Sequence, residues 1–296
     1  MKIVISGASG FLGTPLRRHL ADAGHEITQL VRSDPAGSGQ ARWDPHRGEL
    51  DADLLEGVDT VINLAGAPFV HWPWTASYKR TLLDSRVETS RTLADTIARL
   101  DAKPALVNAS GADYYGDDRG DERLDESSST GSGFLASVVR EWEEATRSAR
   151  EAGARVVNTR TSAVIDRRGG PLKTMGLPFR LGLGGRVGSG RQWFPTISLD
   201  DYLAAMTRLA TDDSMQGPYN MTGPDPVTNA EFTKALGRQL RRPTVMVAPA
   251  FALKAVMGDL ATVVIGSRRV VPTRLLDAGF EFVHPDIESQ LEAALD

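Results

Sequence analysis

The sequence contains no cysteine, which excludes disulfide bonds, thiolate catalysis and zinc sites with cysteine ligands. Its five histidines show no spacing typical of metal ligands, so we expect no metal site. No apolar run approaches the roughly 20 residues of a membrane-spanning helix, and we expect no membrane partner. Basic residues are not in excess, because the net charge is −4. We therefore expect no nucleic acid partner, since binding to a phosphate backbone normally needs a basic face.

The bulk composition is ordinary for a globular protein, with 41% hydrophobic and 24% charged residues. A length of 296 residues suits one large α/β domain, or a nucleotide-binding domain with a smaller lobe. The apolar run Ile3–Ile5 is too short for a signal-peptide core and leads directly into a glycine-rich motif. We therefore expect no targeting segment and a cytoplasmic location. The sequence does not indicate an oligomeric state.

The most informative motif is a glycine-rich turn between a strand and a helix. Lys2–Ile5 has the pattern of a buried strand, and residues 7–13 (GASGFLG) follow it before an amphipathic helix. Gly7 permits a tight turn, Gly10 lets the backbone approach a pyrophosphate, and Gly13 lets the helix lie close to the strand. The positive N-terminal end of that helix then faces the phosphates. The motif predicts a dinucleotide cofactor.

The end of the second predicted strand, Glu26–Val31, indicates which dinucleotide is bound. Folds that bind NAD usually place an acidic residue there to bond the ribose 2′-hydroxyl. Here the position holds Arg32, whose guanidinium cannot accept from a hydroxyl but can form paired hydrogen bonds to a 2′-phosphate. We therefore predict NADP (NADPH) as the cofactor. Asp34 lies just beyond and keeps NAD open, and a solvated arginine at a strand end is the alternative for Arg32.

Strands alternate with helices through about residue 165, which predicts an α/β fold with parallel strands and crossover helices on both faces of the sheet. Further apolar runs mark strands, and two long segments carry a helical apolar stripe. The strands lie near residues 60–64, 105–108 and 155–158, and the helices near 75–100 and 132–152. Gly66 and Gly111 follow strand ends, where ligands bind in an open doubly wound sheet.

After residue 165 the pattern changes to short helices separated by proline-rich loops, and the predicted organisation is a nucleotide-binding domain at 1–165 and a smaller substrate-facing lobe at 166–296, interleaved with the first. Thr228 and Glu231 have the spacing of a helix capping box. Between Asp166 and Arg191 lies a glycine-rich segment with one acidic residue, Asp166 itself. Its basic residues are Arg167, Arg168, Lys173, Arg180, Arg186 and Arg191. We predict that this segment receives an anionic substrate through Arg186 and Arg191, although a solvated loop has the same composition.

Taken together, the motifs resemble the extended and atypical short-chain dehydrogenase/reductase superfamily. The resemblance is closest to the branch described as nucleoside-diphosphate-sugar epimerase or SulA-type, which ends in a C-terminal domain of unknown function. The matching segments span nearly the whole chain. Besides the glycine-rich turn they are NLAG at 63–66, DSRVET at 84–89, YYG at 114–116, EWE at 141–143, GG at 184–185, GSGRQW at 188–193, NAEF at 229–232, RVVP at 269–272, RLL at 274–276 and GF at 279–280.

The resemblance implies a Rossmann-type doubly wound parallel sheet with a smaller C-terminal substrate lobe, and it implies a set of cofactor-binding residues. Arg86 stands at a helix position where ordinary members often have asparagine, and the resemblance makes it a second cofactor contact. The alternative for Arg86 is an intrahelical pair with Asp84 or Glu88, but residues two apart on a helix do not face each other. The implied cofactor-binding residues are Gly7, Ser9, Gly10, Phe11, Leu12, Gly13, Arg32, Leu64, Ala65, Gly66 and Arg86.

By the same resemblance, the usual Ser-Tyr-Lys catalytic set is absent. Gly111 stands where the hydroxyl residue is expected, and Leu135 and Val139 stand where the tyrosine and lysine are expected. General acid–base catalysis is worth about 10²–10⁴ in rate, so its loss slows hydride transfer without forbidding it.

Substitute proton donors must then come from elsewhere in the chain. We predict Ser110 together with Tyr114 or Tyr115 as substrate-facing residues. The alternative is that the tyrosines are wall residues whose hydroxyls find backbone partners. Asp113 lies between them and is able to act as a base, although an aspartate in a solvated loop is more often idle.

Two functions follow from these observations. The first is an NADP-dependent oxidoreductase or epimerase-like enzyme of the short-chain dehydrogenase type, acting on a small anionic substrate such as a sugar nucleotide. The second is a non-catalytic NADP(H)-binding regulatory protein that acts through a partner, which the missing catalytic set favours.

Overall fold

The computed structural model describes residues 1–69 and 71–296. The strands are β1 (Lys2–Ser6), β2 (Glu26–Val31), β3 (Gln40–Arg42), β4 (Thr60–Asn63), β5 (Ala105–Gly111), β6 (Asp118–Leu124), β7 (Val156–Thr161), β8 (Ala163–Ile165), β9 (Gly185–Val187), β10 (Trp193–Phe194), β11 (Thr196–Ser198), β12 (Gly217–Met221), β13 (Val227–Thr228), β14 (Met246–Ala248) and β15 (Ser267–Val270). The helices are α1 (Gly13–Asp22), α2 (Ala76–Arg99), α3 (Phe134–Glu144), α4 (Arg147–Glu151), α5 (Gly170–Arg180), α6 (Leu199–Thr211), α7 (Asn229–Gln239), α8 (Ala250–Met257), α9 (Thr262–Ile265), α10 (Thr273–Asp277) and α11 (Ile287–Leu295).

A seven-stranded parallel sheet forms the centre of the fold, in the order β3-β2-β1-β4-β5-β7-β12. The strand order reverses between β1 and β4, so the loops that follow these two strands diverge and leave a crevice at the carboxyl ends of the strands. The predicted doubly wound parallel sheet is confirmed.

Both faces of this sheet are buried, as apolar strands with crossover helices require. Ile3 and Ile5 of β1 join a core cluster with α1 and α6. Val4, which points to the other face, joins a second cluster that includes Leu93 and Ile97 of α2. The two faces therefore hold helices α1 and α6 on one side and α2 on the other.

A buried polar ladder crosses the sheet beneath the crevice. Asn63, Asn108 and Asn158 lie in register on β4, β5 and β7. The side-chain amide of Asn63 donates to Asn108 Oδ1 at 2.8 Å, and that of Asn108 donates to Asn158 Oδ1 at 3.3 Å. Ser6 donates to Asn63 and Ser90 to Asn108, at 2.6 and 2.7 Å. Because buried amides need partners, this network fixes the register of three strands just below the loops that follow them.

Segments beyond residue 165 also contribute to the central sheet, because β12 is its edge strand and α6 packs against α1. The remaining strands form two-stranded sheets, β11-β8, β10-β13, β14-β9 and β15-β6. The capping box at the start of α7 is confirmed, since the amide of Glu231 donates to Thr228 Oγ1 and the amide of Thr228 donates to Glu231 Oε2. Over the described residues, no helix combines the length and apolar character needed to cross a bilayer.

Candidate active site

The glycine-rich turn after β1 is closed so tightly that it has no room for side chains at two positions. Gly7 has a φ of +70°, and a Cβ atom there would lie 2.6 Å from the backbone carbonyl of Leu64. A Cβ atom at Gly13 would lie 2.1 Å from the carbonyl oxygen of Gly7. Gly10 differs, because it is exposed and the nearest atom to its Cβ position is the Gly7 oxygen at 3.2 Å. The turn therefore presents bare backbone to the crevice at Gly10.

Helix α1 begins at this turn, and the amides just before it are available to a ligand. Among the described residues, the amides of Phe11 and Leu12 have no hydrogen-bond partner. The amide of Thr14, in contrast, donates to the carbonyl of Gly10, and Pro15 has no N–H group. The N-cap residue of α1 is Leu12, and no side chain caps the helix. The first turn of a helix has amide groups with no partner inside the helix, and together with the helix dipole they attract anions. Ser9 is exposed beside Gly10. The ring of Phe11 packs where a Cβ atom at Gly169 would lie, 2.2 Å from its Cδ2 atom, so the turn before α5 rests on the glycine-rich turn.

Three charged side chains lie at the neighbouring carboxyl ends of β2 and β3. Arg32 follows β2 directly and is exposed. Across the described residues, the Arg32 side chain forms no ion pair, whereas Asp34 pairs with Arg42 of β3 at 3.0 Å. The one cation at this strand end that is free of a carboxylate is therefore Arg32, as far as the described part of the chain is concerned.

Arg86 stabilises the loop that follows β4. Its side chain is buried, and its guanidinium donates to the carbonyls of Leu82 and Ala67, both at 2.9 Å. Its charge lies over the ring of Phe69 at 4.0 Å. Burial lowers the pKa of Arg86 to about 10, although Tyr78 and Asp113 oppose this shift. These hydrogen bonds are not the intrahelical ion pair considered from the sequence, and the role of Arg86 as a cofactor contact stays a prediction.

The loop that follows β4 also contains three other residues predicted to bind the cofactor, Leu64, Ala65 and Gly66. Leu64 and Ala65 are half-buried and Gly66 is exposed. The amide of Ala65 donates to Asn63 Oδ1 at 3.3 Å, which connects the loop to the polar ladder. A Cβ atom at Gly66 would make only ordinary contact with Arg86, at 3.4 Å.

The hydroxyl of Ser110 is hydrogen-bonded to a buried ion pair between Glu143 of α3 and Arg160 of β7. The hydroxyl donates to Glu143 Oε1 at 2.6 Å, and the same carboxylate accepts two hydrogen bonds from Arg160, at 2.9 and 3.0 Å. The side chains of Arg160 and Glu143 are 4% and 14% exposed. Burial opposes the charge of Arg160, but the hydrogen bonds and charge of Glu143 outweigh it and hold the pKa of Arg160 above its usual value.

The two tyrosines gather around the same arginine. Arg160 lies over the ring of Tyr114 at 3.4 Å. Tyr115 is fully buried, and its hydroxyl donates to Asn220 at 2.7 Å and accepts from Arg160 at 3.2 Å. Burial raises the pKa of Tyr115 to about 12. The hydroxyl predicted to face a substrate therefore lies in the core, while Tyr114 lines a cavity of about 510 Å³ with Glu143 and Arg160.

The carboxylate of Asp113 lies beside Gly111, the position where the resemblance expects a hydroxyl side chain. A Cβ atom at Gly111 would lie 3.5 Å from Val139 and 3.6 Å from Asp113 Oδ2. The other oxygen of Asp113 lies 3.1 Å from Arg268, whose side chain is 8% exposed. Leu135 and Val139 are buried, at 2% and 0% exposure. Asp113 is thus an ionisable group beside Gly111, next to the apolar side chains of Leu135 and Val139.

The two arginines predicted to bind substrate occupy different surroundings. Arg191 lines a cavity of about 330 Å³ together with Asp118, Asp121 and residues of β9 and β15. Arg186 is exposed and donates to the carbonyl of Ser189 at 2.7 Å. The structure therefore places Arg191 on a cavity wall, while the guanidinium of Arg186 lies against the carbonyl of Ser189. Among the described residues, no group of three potential ligand side chains is arranged to hold a metal ion.

Sequence reasoning missed two partners of these residues. Arg268 belongs to a short strand about 150 residues from Asp113, and nothing in the local sequence connects them. Arg42 sits on the strand that neighbours β2, and only the pairing of Val31 with Arg42 brings it to the end of β2. For Arg42 the order of two consecutive strands was a usable signal, because consecutive strands are often neighbours.

Comparison with known proteins gives the family. The family model described as the NAD dependent epimerase/dehydratase family matches residues 3–222. The chain belongs to this family. A second model, a domain of unknown function, matches residues 248–294, as the resemblance implied.

Similar members of the family extend over the whole chain. An epimerase family protein of Mycobacterium bovis, Mb2239, is 42% identical over 292 residues, which is 98% of this chain and 96% of that protein. The mouse epimerase family protein SDR39U1 is 34% identical and covers 99% of both chains.

Among solved structures, human SDR39U1 with NADPH aligns with a TM-score of 0.88 and 32% identity over 99% of both chains. A nucleoside-diphosphate sugar epimerase from Corynebacterium glutamicum aligns with a TM-score of 0.82 and 34% identity, over 99% of this chain and 59% of that one. UDP-glucose 4-epimerase of Thermus thermophilus, at 16% identity and a TM-score of 0.76, shows the fold alone.

Proposed function

We propose that this chain is an NADP-dependent oxidoreductase or epimerase-like enzyme that acts on a small anionic substrate without the usual Ser-Tyr-Lys set. The observation that carries the proposal is the turn at Gly7, Gly10 and Gly13, which is closed by its own backbone on one side and bare on the other. The human relative whose structure contains NADPH is similar over nearly its full length, which supports the same cofactor here.

The residues fit this cofactor. The amides of Phe11 and Leu12, just before α1, are offered to a pyrophosphate, and the bare backbone at Gly10 lets the pyrophosphate approach. Arg32, with no carboxylate partner among the described residues, offers a guanidinium to a 2′-phosphate. Leu64, Ala65 and Gly66 supply the opposite wall, and Arg86 holds that wall in place. When bound, NADPH supplies a hydride; the chain has to bind it, exclude water and move the proton.

We assign the movement of the proton to Asp113. Its Oδ2 atom is beside the vacant side-chain position of Gly111, and its Oδ1 atom lies 3.1 Å from Arg268. Ser110 and Tyr115 are less suited to this role, because their hydroxyls already donate hydrogen bonds to Glu143 and Asn220. Tyr114 stays a candidate wall residue through its ring.

Changing Asp113→Asn keeps the shape of the side chain and removes its ability to deliver a proton to the carbonyl oxygen in reduction, or to accept one from a hydroxyl in the reverse reaction. We expect turnover to fall about 100-fold, within the 10²–10⁴ range of general acid–base catalysis. The dissociation constant of NADPH should change less than about twofold, since the substitution is isosteric. Steady-state kinetics and fluorescence titration measure the two quantities. Asp101→Asn, an exposed aspartate just before β5, is the control, and equal turnover in both variants contradicts the assignment.

The substrate-facing part of the chain, in this proposal, lies within residues 166–296. Arg191 and the nearby Arg186 offer guanidinium groups to a phosphate or carboxylate, and Asp118 and Asp121, which line the same cavity as Arg191, offset part of that positive charge. Incubation of the purified chain with NADPH and a panel of carbonyl compounds, including sugar nucleotides and phosphorylated aldehydes, tests the proposal. Consumption of NADPH with an anionic member supports it, and consumption only with uncharged members overturns the part played by the arginines.

Arg32→Ala should weaken NADPH binding about 10-fold to 100-fold, because a charge-assisted paired hydrogen bond to the 2′-phosphate is lost. NADH binding should change less than about twofold, since NADH lacks that phosphate. Calorimetric titration with both cofactors measures this. The control is Arg18→Ala, which removes an exposed arginine on α1 and should leave both affinities unchanged. Equal losses of NADPH and NADH affinity would remove the 2′-phosphate role of Arg32.

One observation favours the second candidate, a non-catalytic NADP(H)-binding protein. Gly111, Leu135 and Val139 leave the wall beside Asp113 apolar and buried, which suits packing as well as chemistry. In that case the chain binds NADPH, but no member of the panel consumes it and Asp113→Asn changes nothing that is measured.

A further inference from the structure

The charged cluster at the end of β2 holds one residue that the proposed function does not use. Arg42 ends β3, directly beside Val31, the last residue of β2. Its guanidinium does not extend into solvent alone but reaches across the strand end to Asp34, at 3.0 Å. Asp34 lies two residues beyond Arg32. Arg32, Asp34 and Arg42 therefore surround the place where the ribose of a dinucleotide is expected at the end of a second strand.

The segment that joins the two strands keeps this arrangement compact. The side chain of Gln40 accepts from the amide of Ala36 at 2.8 Å. The amide of Gln40 donates to the carbonyl of Gly37 at 3.1 Å, and the amide of Gln29 donates to the carbonyl of Gly39 at 2.9 Å. Both ends of the short connection are thus tied to β2 and β3. Arg42 and Asp34 are held near Arg32 by the backbone, and not by their own ion pair alone.

The pair of Asp34 and Arg42 is exposed, with side chains 91% and 64% accessible to solvent. Exposed ion pairs of this kind contribute little to stability, so Arg42 can exchange its partner at small cost. A phosphate monoester carries between one and two negative charges near neutral pH and three acceptor oxygens. It is therefore a better partner for a guanidinium than a single carboxylate.

We propose that Arg42 is a second residue for the 2′-phosphate, and that Asp34 occupies Arg42 until NADPH displaces it. This inference rests on the proposed function and extends it, because it assigns the choice between NADPH and NADH to three side chains. Arg42 acts twice: it binds the phosphate itself, and its positive charge beside Asp34 offsets the repulsion between that carboxylate and the phosphate. Asp34 acts in the opposite sense, as a competitor for the same guanidinium.

The two substitutions therefore have opposite signs. Arg42→Ala should weaken NADPH binding about tenfold, because one phosphate contact is lost and Asp34 is left unpaired. Asp34→Asn should strengthen NADPH binding about twofold to fivefold, since the competing charge is gone. Neither change should alter NADH binding more than about twofold. In the double variant, the loss caused by Arg42→Ala should be smaller than in the single one, because part of that loss comes from the charge of Asp34.

The experiment uses the complete chain and two ligands that lack the nicotinamide ring, adenosine 2′,5′-bisphosphate and adenosine 5′-diphosphate, besides NADPH and NADH. Calorimetry gives the four dissociation constants for each variant. The matched control is Arg47→Ala, because Arg47 forms a similarly exposed pair with Glu49 and is 69% accessible. That variant should bind all four ligands as the unaltered chain does.

The outcomes separate the inference from the proposed function. If the unaltered chain prefers NADPH and the bisphosphate, and Arg42→Ala reduces that preference while Arg47→Ala does not, the inference holds. If the preference is present but Arg42→Ala matches Arg47→Ala, or Asp34→Asn weakens NADPH, the inference is wrong and the proposed function stands. If the unaltered chain binds none of the four ligands, both are wrong.

Discussion

Gly13→Ala is expected to abolish measurable NADPH binding, with a loss of affinity of at least about 100-fold. The added methyl group would lie 2.1 Å from the carbonyl oxygen of Gly7 and 2.8 Å from the Cα atom of Ala8. These atoms belong to the backbone and cannot rotate away, so the turn has to open or α1 has to shift. Either movement displaces the amides that are proposed to hold the pyrophosphate. Fluorescence titration with NADPH measures the effect.

Two further variants show whether the loss of NADPH binding comes from the glycine-rich turn itself or from a less stable fold. Gly10→Ala adds a methyl group on the open side, 3.2 Å from its nearest neighbour, so binding should fall while the midpoint of thermal unfolding stays within a few degrees. Gly176→Ala places a methyl group in a helix with no atom within 4 Å, and it should change neither. If Gly10→Ala binds NADPH normally, the bare backbone at Gly10 is not the cofactor site.

Glu143→Ala should lower the free energy of unfolding by about 3–5 kcal/mol, because it leaves Arg160 charged and unpaired in the core. Arg160 is 4% exposed and gives two hydrogen bonds to the lost carboxylate. The hydroxyl of Ser110 loses its acceptor in the same substitution. Urea unfolding followed by circular dichroism measures the change, provided that the slope with denaturant is unchanged.

The adjacent residue provides the control for this prediction. Glu144 pairs with Arg147 on the surface, and both side chains are roughly half exposed. Glu144→Ala should therefore cost less than about 1 kcal/mol. A similar cost for both glutamates would show that the ion pair of Arg160 does not support the fold, and would reopen Ser110 and Tyr114 as groups free to meet a substrate.

The fold was predictable because its signals are local. The apolar run of β1, the glycines at 7, 10 and 13 and the return of a strand at Glu26–Val31 together require a parallel βαβ unit. The capping box of Thr228 was equally local. What lay beyond sequence reasoning was the return of the chain to the sheet at β12, because a five-residue strand (Gly217–Met221) that contains glycine and proline carries little pattern.

The candidate site was less predictable, because it depends on the direction of single side chains. Ser110 and Gly111 are neighbours that both lie beside α3, Ser110 through its bond to Glu143 and the Gly111 position through Val139, and the Gly111 position also meets Asp113. Arg86 was expected to be a cofactor contact because of its helix position. The partners that the structure gives it are backbone carbonyls of a loop and of its own helix, which have no signature in a sequence.

The central claim is that the turn after β1 and the arginine after β2 bind NADPH, and the most direct measurement is calorimetric titration of the unaltered chain with NADPH and with NADH. The account predicts saturable binding of NADPH at one site per chain, and binding of NADH at least about tenfold weaker. Equal affinities, tighter binding of NADH, or no heat with either cofactor would contradict it.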